Sequence, residues 1–136
     1  MNLADVIDNV RSALGAIPSL RVADWGAPKV STPAGLVLPP EKIEFGLTYG
    51  PGCDRYPDLW VMVLVDDPTN WRAWRELAPY VAGSGPASVR AALENFPYTA
   101  CDQGCVKVTS AEFDVVKYAG VSYLAAIFHL DLTGTE

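Results

Sequence analysis

Positive charge is scarce in this chain. Ten Lys and Arg stand against sixteen Asp and Glu in 136 residues, a formal net charge of -6. Counterion release from phosphates therefore cannot supply general affinity for nucleic acid. Tight DNA or RNA binding is not expected, although an acidic surface suits a wall past which DNA slides without sticking. Long apolar runs are missing too. Nowhere do about 18 apolar residues follow one another, the length a membrane-spanning helix needs. Met1 to Gly15 alternates apolar and acidic positions where a secretory leader would carry a basic stretch and an apolar core, so neither export nor membrane attachment is expected. Cysteine is rare. Three of them, an odd number, argue against a closed disulfide framework and for a reducing compartment.

What is present is enough to fold. Half of the residues are hydrophobic and 19% are charged, far from the composition of a disordered chain. The length is that of one domain, 1–136, able to bury roughly two thirds of the surface it exposes when unfolded.

Helical spacing of Leu3, Val6, Ile7, Val10 and Leu14 predicts an amphipathic helix over Asn2 to Leu14. Asn2 is placed to cap it, Asp5 to favour its dipole and Gly15 to end it. Short strands follow at Leu20 to Asp24, Ala34 to Leu38 and Glu41 to Thr48. Tyr49 to Pro57, with its Gly and Pro, reads as a loop. Asp58 to Val65 is almost continuously apolar, as a strand covered on both faces would be. Asp67-Pro68 signals a helix start, and Trp71, Trp74, Leu77, Ala78 and Val81 form its stripe, with Pro79 expected to kink or end it. Pro86 to Asn95 predicts a short helix. Val106 to Ala119 and Val121 to Leu132 predict two long strands joined at Ala119-Gly120, with a bulge at Val115-Val116. The fold class is α+β: a mostly antiparallel mixed sheet packed by an N-terminal helix and two central helices.

Several local patterns, in this order and spacing, carry a resemblance. They are the opening helix, Ile17-Pro18-Ser19-Leu20-Arg21-Val22, Ala34-Gly35-Leu36-Val37-Leu38-Pro39, and Asp58 to Asp66 leading into a tryptophan-bearing helix. Then come Tyr80 to Val89 with Ala91-Ala92-Leu93-Glu94, and the Tyr118 to Leu124 hairpin. Over nearly its whole length the chain resembles the tail terminators of long-tailed, non-contractile phages of actinobacteria. The resemblance implies a structural virion protein and not an enzyme. It implies a homohexameric ring that caps the tail tube at the head-tail junction, with the major tail tube protein and a neck or head-completion protein as partners. DNA would pass through the ring without specific binding. Other head-tail connectors, such as head-closure or tail-completion factors, are the alternative within that class. A small cytoplasmic enzyme or ligand-binding domain is the alternative outside it.

Chemistry-bearing residues do not assemble into a catalytic set. Cys53, Cys101, Cys105 and His129 would complete a Cys3His zinc set, but Cys53 and His129 stand alone in unrelated segments, and unpaired thiols are the simpler expectation. Gly83 to Ser88 follows a helix and contains Pro86, so it is punctuation and not a dinucleotide fingerprint, and Gly50-Pro51-Gly52 lacks the end of a phosphate loop. Strand alternation separates Ser122 from His129 and Asp131. Asp66-Asp67 and Asp54 with Asp58 read as a cap and solvated turns, without support for calcium. No cofactor and no metal are expected. Trp71 and Trp74 are expected to anchor their helix on the sheet, with Trp60 in the same core.

The interface candidates are therefore aromatic and apolar. Trp25 lies in a Gly-Pro loop, and Tyr49 and Tyr56 lie in the Tyr49 to Pro57 loop, both segments being expected to order only against a neighbour. The last strand adds Tyr123, Ala125 and Ile127, whose face, like the opposite one, calls for burial by a covering layer or by another subunit.

Overall fold

The computed structural model describes residues 2–23, 31–40, 42–45, 53–99 and 105–135. The fold is α+β, as composition and periodicity predict. Helix α1 spans Leu3–Gly15, and its start is fixed by Asn2, whose Oδ1 accepts from the Ala4 and Asp5 amides at 2.9 and 3.3 Å. Val6, Val10, Ala13 and Leu14 form its buried face.

Strands β1 (Arg21–Ala23), β2 (Ala34–Leu38), β3 (Glu44–Phe45), β4 (Cys53–Leu64), β5 (Val106–Tyr118) and β6 (Val121–Thr135) form one mixed sheet. The order across it is β1-β2-β4-β6-β5, with β3 paired to the first part of β4. Only β1 and β2 run parallel; the other pairings are antiparallel. Strands β4 and β6 are therefore interior. Strand β6 alternates between two buried faces: Leu124, Ala126, Phe128, Leu130 and Leu132 join the helices in one core, while Ala125 and Ile127 join a second core with Ala34, Leu36, Met62, Leu64 and Tyr118. We call these the helical face and the open face, because among the described residues no helical residue belongs to the second cluster. Gly35 leaves room on the helical face for Leu20, in the segment between α1 and β1, since a Cβ there would meet Leu20 Cδ2 at 3.0 Å.

Helices α2 (Ala73–Val81) and α3 (Val89–Asn95) lie on the helical face, burying Ala73, Leu77 and Tyr80 from one and Val89 and Leu93 from the other. The Tyr80 hydroxyl and Ser19 Oγ, 2.8 Å apart, tie α2 to the turn after α1.

Several local expectations are corrected. Asp67 does not cap α2: its Oδ1 accepts from the Thr69 amide and hydroxyl at 2.9 and 2.7 Å, a local turn that competes with helix, and α2 begins only at Ala73. Pro79, by contrast, stands near the end of α2 as expected, the helix running only two residues past it to Val81. Helix α3 starts at Val89, later than Pro86, since Ser88 Oγ accepts from the Ala91 amide as its cap. The expected bulge at Val115-Val116 is absent, both residues being in register with Leu124 and Tyr123; the irregularity falls between Val108 and Ser110. The Ala119-Gly120 corner is the expected hairpin turn, with φ of 51° and 83°, the double positive φ that a tight two-residue connection demands. The loop expected over Tyr49 to Pro57 is corrected where it is described: Cys53 to Pro57 belongs to β4. Of the strand expected over Glu41 to Thr48, Glu44–Phe45 is formed, and residues 41 and 46–48 lie outside the described residues.

Candidate functional site

Two places on the molecule carry polar or apolar groups beyond what folding requires. The first is on the open face, where β3, β4, β5 and β6 meet. Arg55 of β4 donates to both carboxylate oxygens of Asp131 of β6, at 2.9 and 2.8 Å, and to Glu44 of β3 at 3.3 Å. Lys42 Nζ stands 3.2 Å from the other oxygen of Glu44. The Asp131 carboxylate, by its hydrogen bonds and then its charge, holds the Arg55 guanidinium above its ordinary pKa, with Glu44 adding to it. Such bidentate geometry fixes orientation as well as charge, so this group ties the short strand β3 to the sheet.

His129 of β6 lies next to this group, between two irregularities. On the β4 side the pairing shifts between Tyr56 and Leu59, and Asp58 sits there at φ 99°, a conformation that side chains rarely adopt. The shift aims the Asp58 carboxylate at His129, with Oδ1 3.0 Å from Nδ1. On the β5 side the shift at Thr109 lets its hydroxyl donate to the His129 carbonyl at 3.0 Å. His129 Nε2 is 3.5 Å from Glu112 Oε1, an ion-pair distance without hydrogen-bond geometry, and has no hydrogen-bond partner among the described residues. The ring meets Trp60 edge-on at 5.2 Å. A shallow cleft of about 170 Å³ beside it is lined by Arg55, Pro57, Asp58, Thr109 and Asp131. Bulges commonly re-aim side chains near functional sites. Here, however, Nε2 is covered, so it has no path to a bound substrate, and a general base must reach the proton it takes. Asp58 and Glu112 approach opposite nitrogens of one ring, so they cannot join it around a single cation; no metal-binding group of three or more such side chains occurs among the described residues.

The second place is the free side of β5. Residues 109–115 are exposed without interruption, although β5 lies within a long hairpin. Phe113 and Val115, 47% and 53% exposed, point to the helical face, where their partners are Ala126 and Leu124. Trp74 of α2 packs against Phe113 with ring centroids 5.3 Å apart and is itself 55% exposed. Trp71, 67% exposed, extends the patch, with the guanidinium groups of Arg72 and Arg75 5.2 and 5.6 Å from its ring centroid. Toward the start of β5 lies a groove of about 470 Å³, with Val81, Ala111, Phe128, Arg90 and Lys107 among its lining residues. Arg90 is held by Glu94 at 3.2 Å.

The residues singled out from sequence fall elsewhere. Trp25 and Tyr49 lie outside the described residues. Tyr56 is a correction: it is 2% exposed in the helical-face core, because β4 starts at Cys53 and pairs with β6 through this stretch. Ala125 and Ile127 are buried and Tyr123 is half-buried, all in the open-face cluster of the subunit itself, because β6 is an interior strand. Trp71 and Trp74 are a further correction: their helix is anchored by Ala73, Leu77 and Tyr80, and the indoles face outward. Cys105 is buried and disulfide-bonded, which overturns the expectation of an unpaired thiol at that position. The side chains of Cys53 and Cys101 lie outside the described residues. His129 and Asp131 do share a face opposite Ser122, as alternation requires. The β5 surface had a signal in the sequence: Thr109, Ser110, Glu112 and Asp114 put polar groups at both parities of the strand, which a covered strand does not tolerate.

No family model matches the chain, and no curated protein matches it in sequence. No helix among the described residues is long and apolar enough to cross a membrane.

Proposed function

We propose that the protein is a non-catalytic structural subunit that assembles with copies of itself into a closed ring of six, in the manner of the phage tail terminators its sequence resembles. One observation carries this reading: among the described strands β5 is an edge, with seven consecutive exposed residues, flanked by the exposed aromatic patch of Trp71, Trp74 and Phe113. Unpaired strand edges are usually shortened, covered or guarded, and a contiguous apolar patch beside one marks a contact surface. A subunit joined to its neighbours head to tail through two different surfaces closes into a ring when the rotation allows it.

In this reading the ring caps the tail tube, contacts the major tail tube protein on one side and a neck protein on the other, and lets DNA through. The surplus of acidic over basic side chains favours a lumen that DNA does not grip. The test is a reconstruction of virions by electron microscopy together with native mass spectrometry of the purified chain. A sixfold ring at the head-proximal end of the tube is the expected result. Density in the capsid lattice or at the distal tip, or a channel lined chiefly by Arg21, Arg55, Lys107 or Lys117, refutes the reading. A position between ring and portal would instead favour another head-tail connector.

A further inference from the structure

The path β1-β2-β4-β6-β5 ends in β5 on one side and β1 on the other, and no described strand pairs with the free side of either; the two-residue β3, whose described partner is β4, is a third and much shorter edge. What each edge can accept is written in three residues. On β5, Phe113 projects from the helical face, while Glu112 and Asp114 project from the open face. On β1 the same alternation gives Val22 on the helical face, where its partner is Gly35, and Arg21 and Ala23 on the open face, where their partners are Ala34 and Leu36. The Arg21 amide is committed to Pro33 O at 3.0 Å, so by alternation it is the N–H and C=O of Val22 that face outward.

A symmetric pairing of β5 with β5 of a second copy meets a charge conflict in the three registers centred on residues 112, 113 and 114. Centred on residue 112 it sets Glu112 against Glu112, and centred on 114 it sets Asp114 against Asp114. Centred on 113 it sets Glu112 against Asp114 twice. Like charges directly opposite each other in an antiparallel pair are destabilising. Both acids are exposed and have room to meet a partner. Glu112 has His129 Nε2 3.5 Å away, and Asp114 Oδ1 accepts from the adjacent Val115 amide at 2.7 Å.

We propose that β5 of one copy pairs with β1 of the next, extending the sheet from subunit to subunit, with Val22 opposite Phe113 and Arg21 opposite Asp114. The direction follows from the topology. β1 and β2 run one way, β4 runs against them, β6 with them and β5 against them, so a rotation that preserves strand direction brings β5 beside β1 antiparallel. That register places Ala23 opposite Glu112, with Arg21 on the diagonal within reach of its carboxylate. Val22 and Phe113 meet on the helical face, beside Trp74. The pairing rests on the ring reading and names the two surfaces that would close it.

Charge exchange in the full chain tests this by native mass spectrometry and sedimentation. Arg21→Glu and Asp114→Arg should each weaken self-association tenfold or more, since like charges then face each other across the contact. The double variant should return to within about threefold of the parent. Circular dichroism melting of each variant separates lost association from lost folding; Asp114 lies on the exposed hairpin, so Asp114→Arg keeps the test open should Arg21→Glu unfold. A parent chain that assembles while both reversals assemble equally well overturns the β1–β5 pairing and leaves the ring standing. A parent that stays monomeric up to about 1 mM, the weak end of specific association, overturns both.

Discussion

Replacing Tyr56 with alanine separates a core aromatic from a contact aromatic more sharply than any other single change in this protein. Tyr56 is 2% exposed, stands opposite Leu132 in the β4–β6 ladder and belongs to the same cluster as Leu59, Leu130 and Leu132. An aromatic side chain buries roughly 150–250 Å². At ~25 cal/mol per Å² that corresponds to about 4–6 kcal/mol of transfer free energy. Measured truncations of buried aromatics cost about 3–5 kcal/mol, because the transfer loss and the cavity left behind are partly offset by relaxation. We take the lower range, about 3–5 kcal/mol, because the unfolded chain already covers some of this surface. Against a total stability of about 5–15 kcal/mol, that is roughly a fifth of the total at the least. Urea unfolding should show the midpoint falling with the slope unchanged, and the melting temperature should drop by about 10 °C or more. A loss below about 1 kcal/mol would refute the reasoning, since it would mean that the ring is not packed inside the folded subunit.

The opposite outcome is expected for the indoles. Trp71→Ala and Trp74→Ala, at exposed positions, should each change monomer stability by under about 0.5 kcal/mol while weakening assembly, read by melting and by native mass spectrometry. Asp58→Ala and Asp58→Gly both delete the contact to His129 and differ only in the backbone cost at φ 99°, so the glycine variant should be the more stable by about 1 kcal/mol in urea titrations. Asp67 is held below its ordinary pKa of 3.8 by the Thr69 amide and then the Thr69 hydroxyl. Its contribution to stability is therefore present above that ordinary value and disappears as pH falls through the lower folded value. Asp67→Asn should flatten the acid limb of the stability profile slightly, the carboxylate being exposed, and an unchanged acid limb would show the turn to be energetically idle.

Much of the fold was legible because its signals are local. The spacing of Val6, Val10 and Leu14, the Asn2 cap, the run Ala34 to Leu38 and the Ala119-Gly120 corner each specify their element within a few residues. What was misread depends on neighbours. Cys53 to Pro57 carries the residues of a loop, yet becomes strand because β3 and β6 supply partners on both sides and because the shift before Leu59 absorbs the Pro57-Asp58 irregularity. The helical spacing of Trp71, Trp74, Leu77, Ala78 and Val81 predicts the wrong buried stripe: α2 begins after Trp71 and rests on Ala73, Leu77 and Tyr80, so only Leu77 of the five is buried and the indoles fall outside. The Asp58–His129 contact joins residues 71 apart in sequence, and only the β4–β6 register brings them together. Of the candidate site, the sequence carried the polar residues of β5 but not the fact that β5 is an edge, since strand order is a tertiary property.

That edge also explains why the two acids of β5 sit where they do. A long edge strand without guards invites pairing with any exposed strand, its own copy first. Lysines would serve as guards, and Lys107 and Lys117 stand near the two ends of β5. The middle instead carries Glu112 and Asp114 around Phe113, a pattern that penalises β5 against itself while leaving an apolar side chain exposed between the charges. An edge meant only to stay single has no use for an exposed phenylalanine that packs on an exposed tryptophan. Repulsion toward the identical strand combined with attraction toward an unlike one gives discrimination, because specificity is a difference between two affinities. In the proposed pairing that difference points from β5 to the Arg21–Ala23 edge of the next copy, which would favour head-to-tail growth over a closed twofold pair.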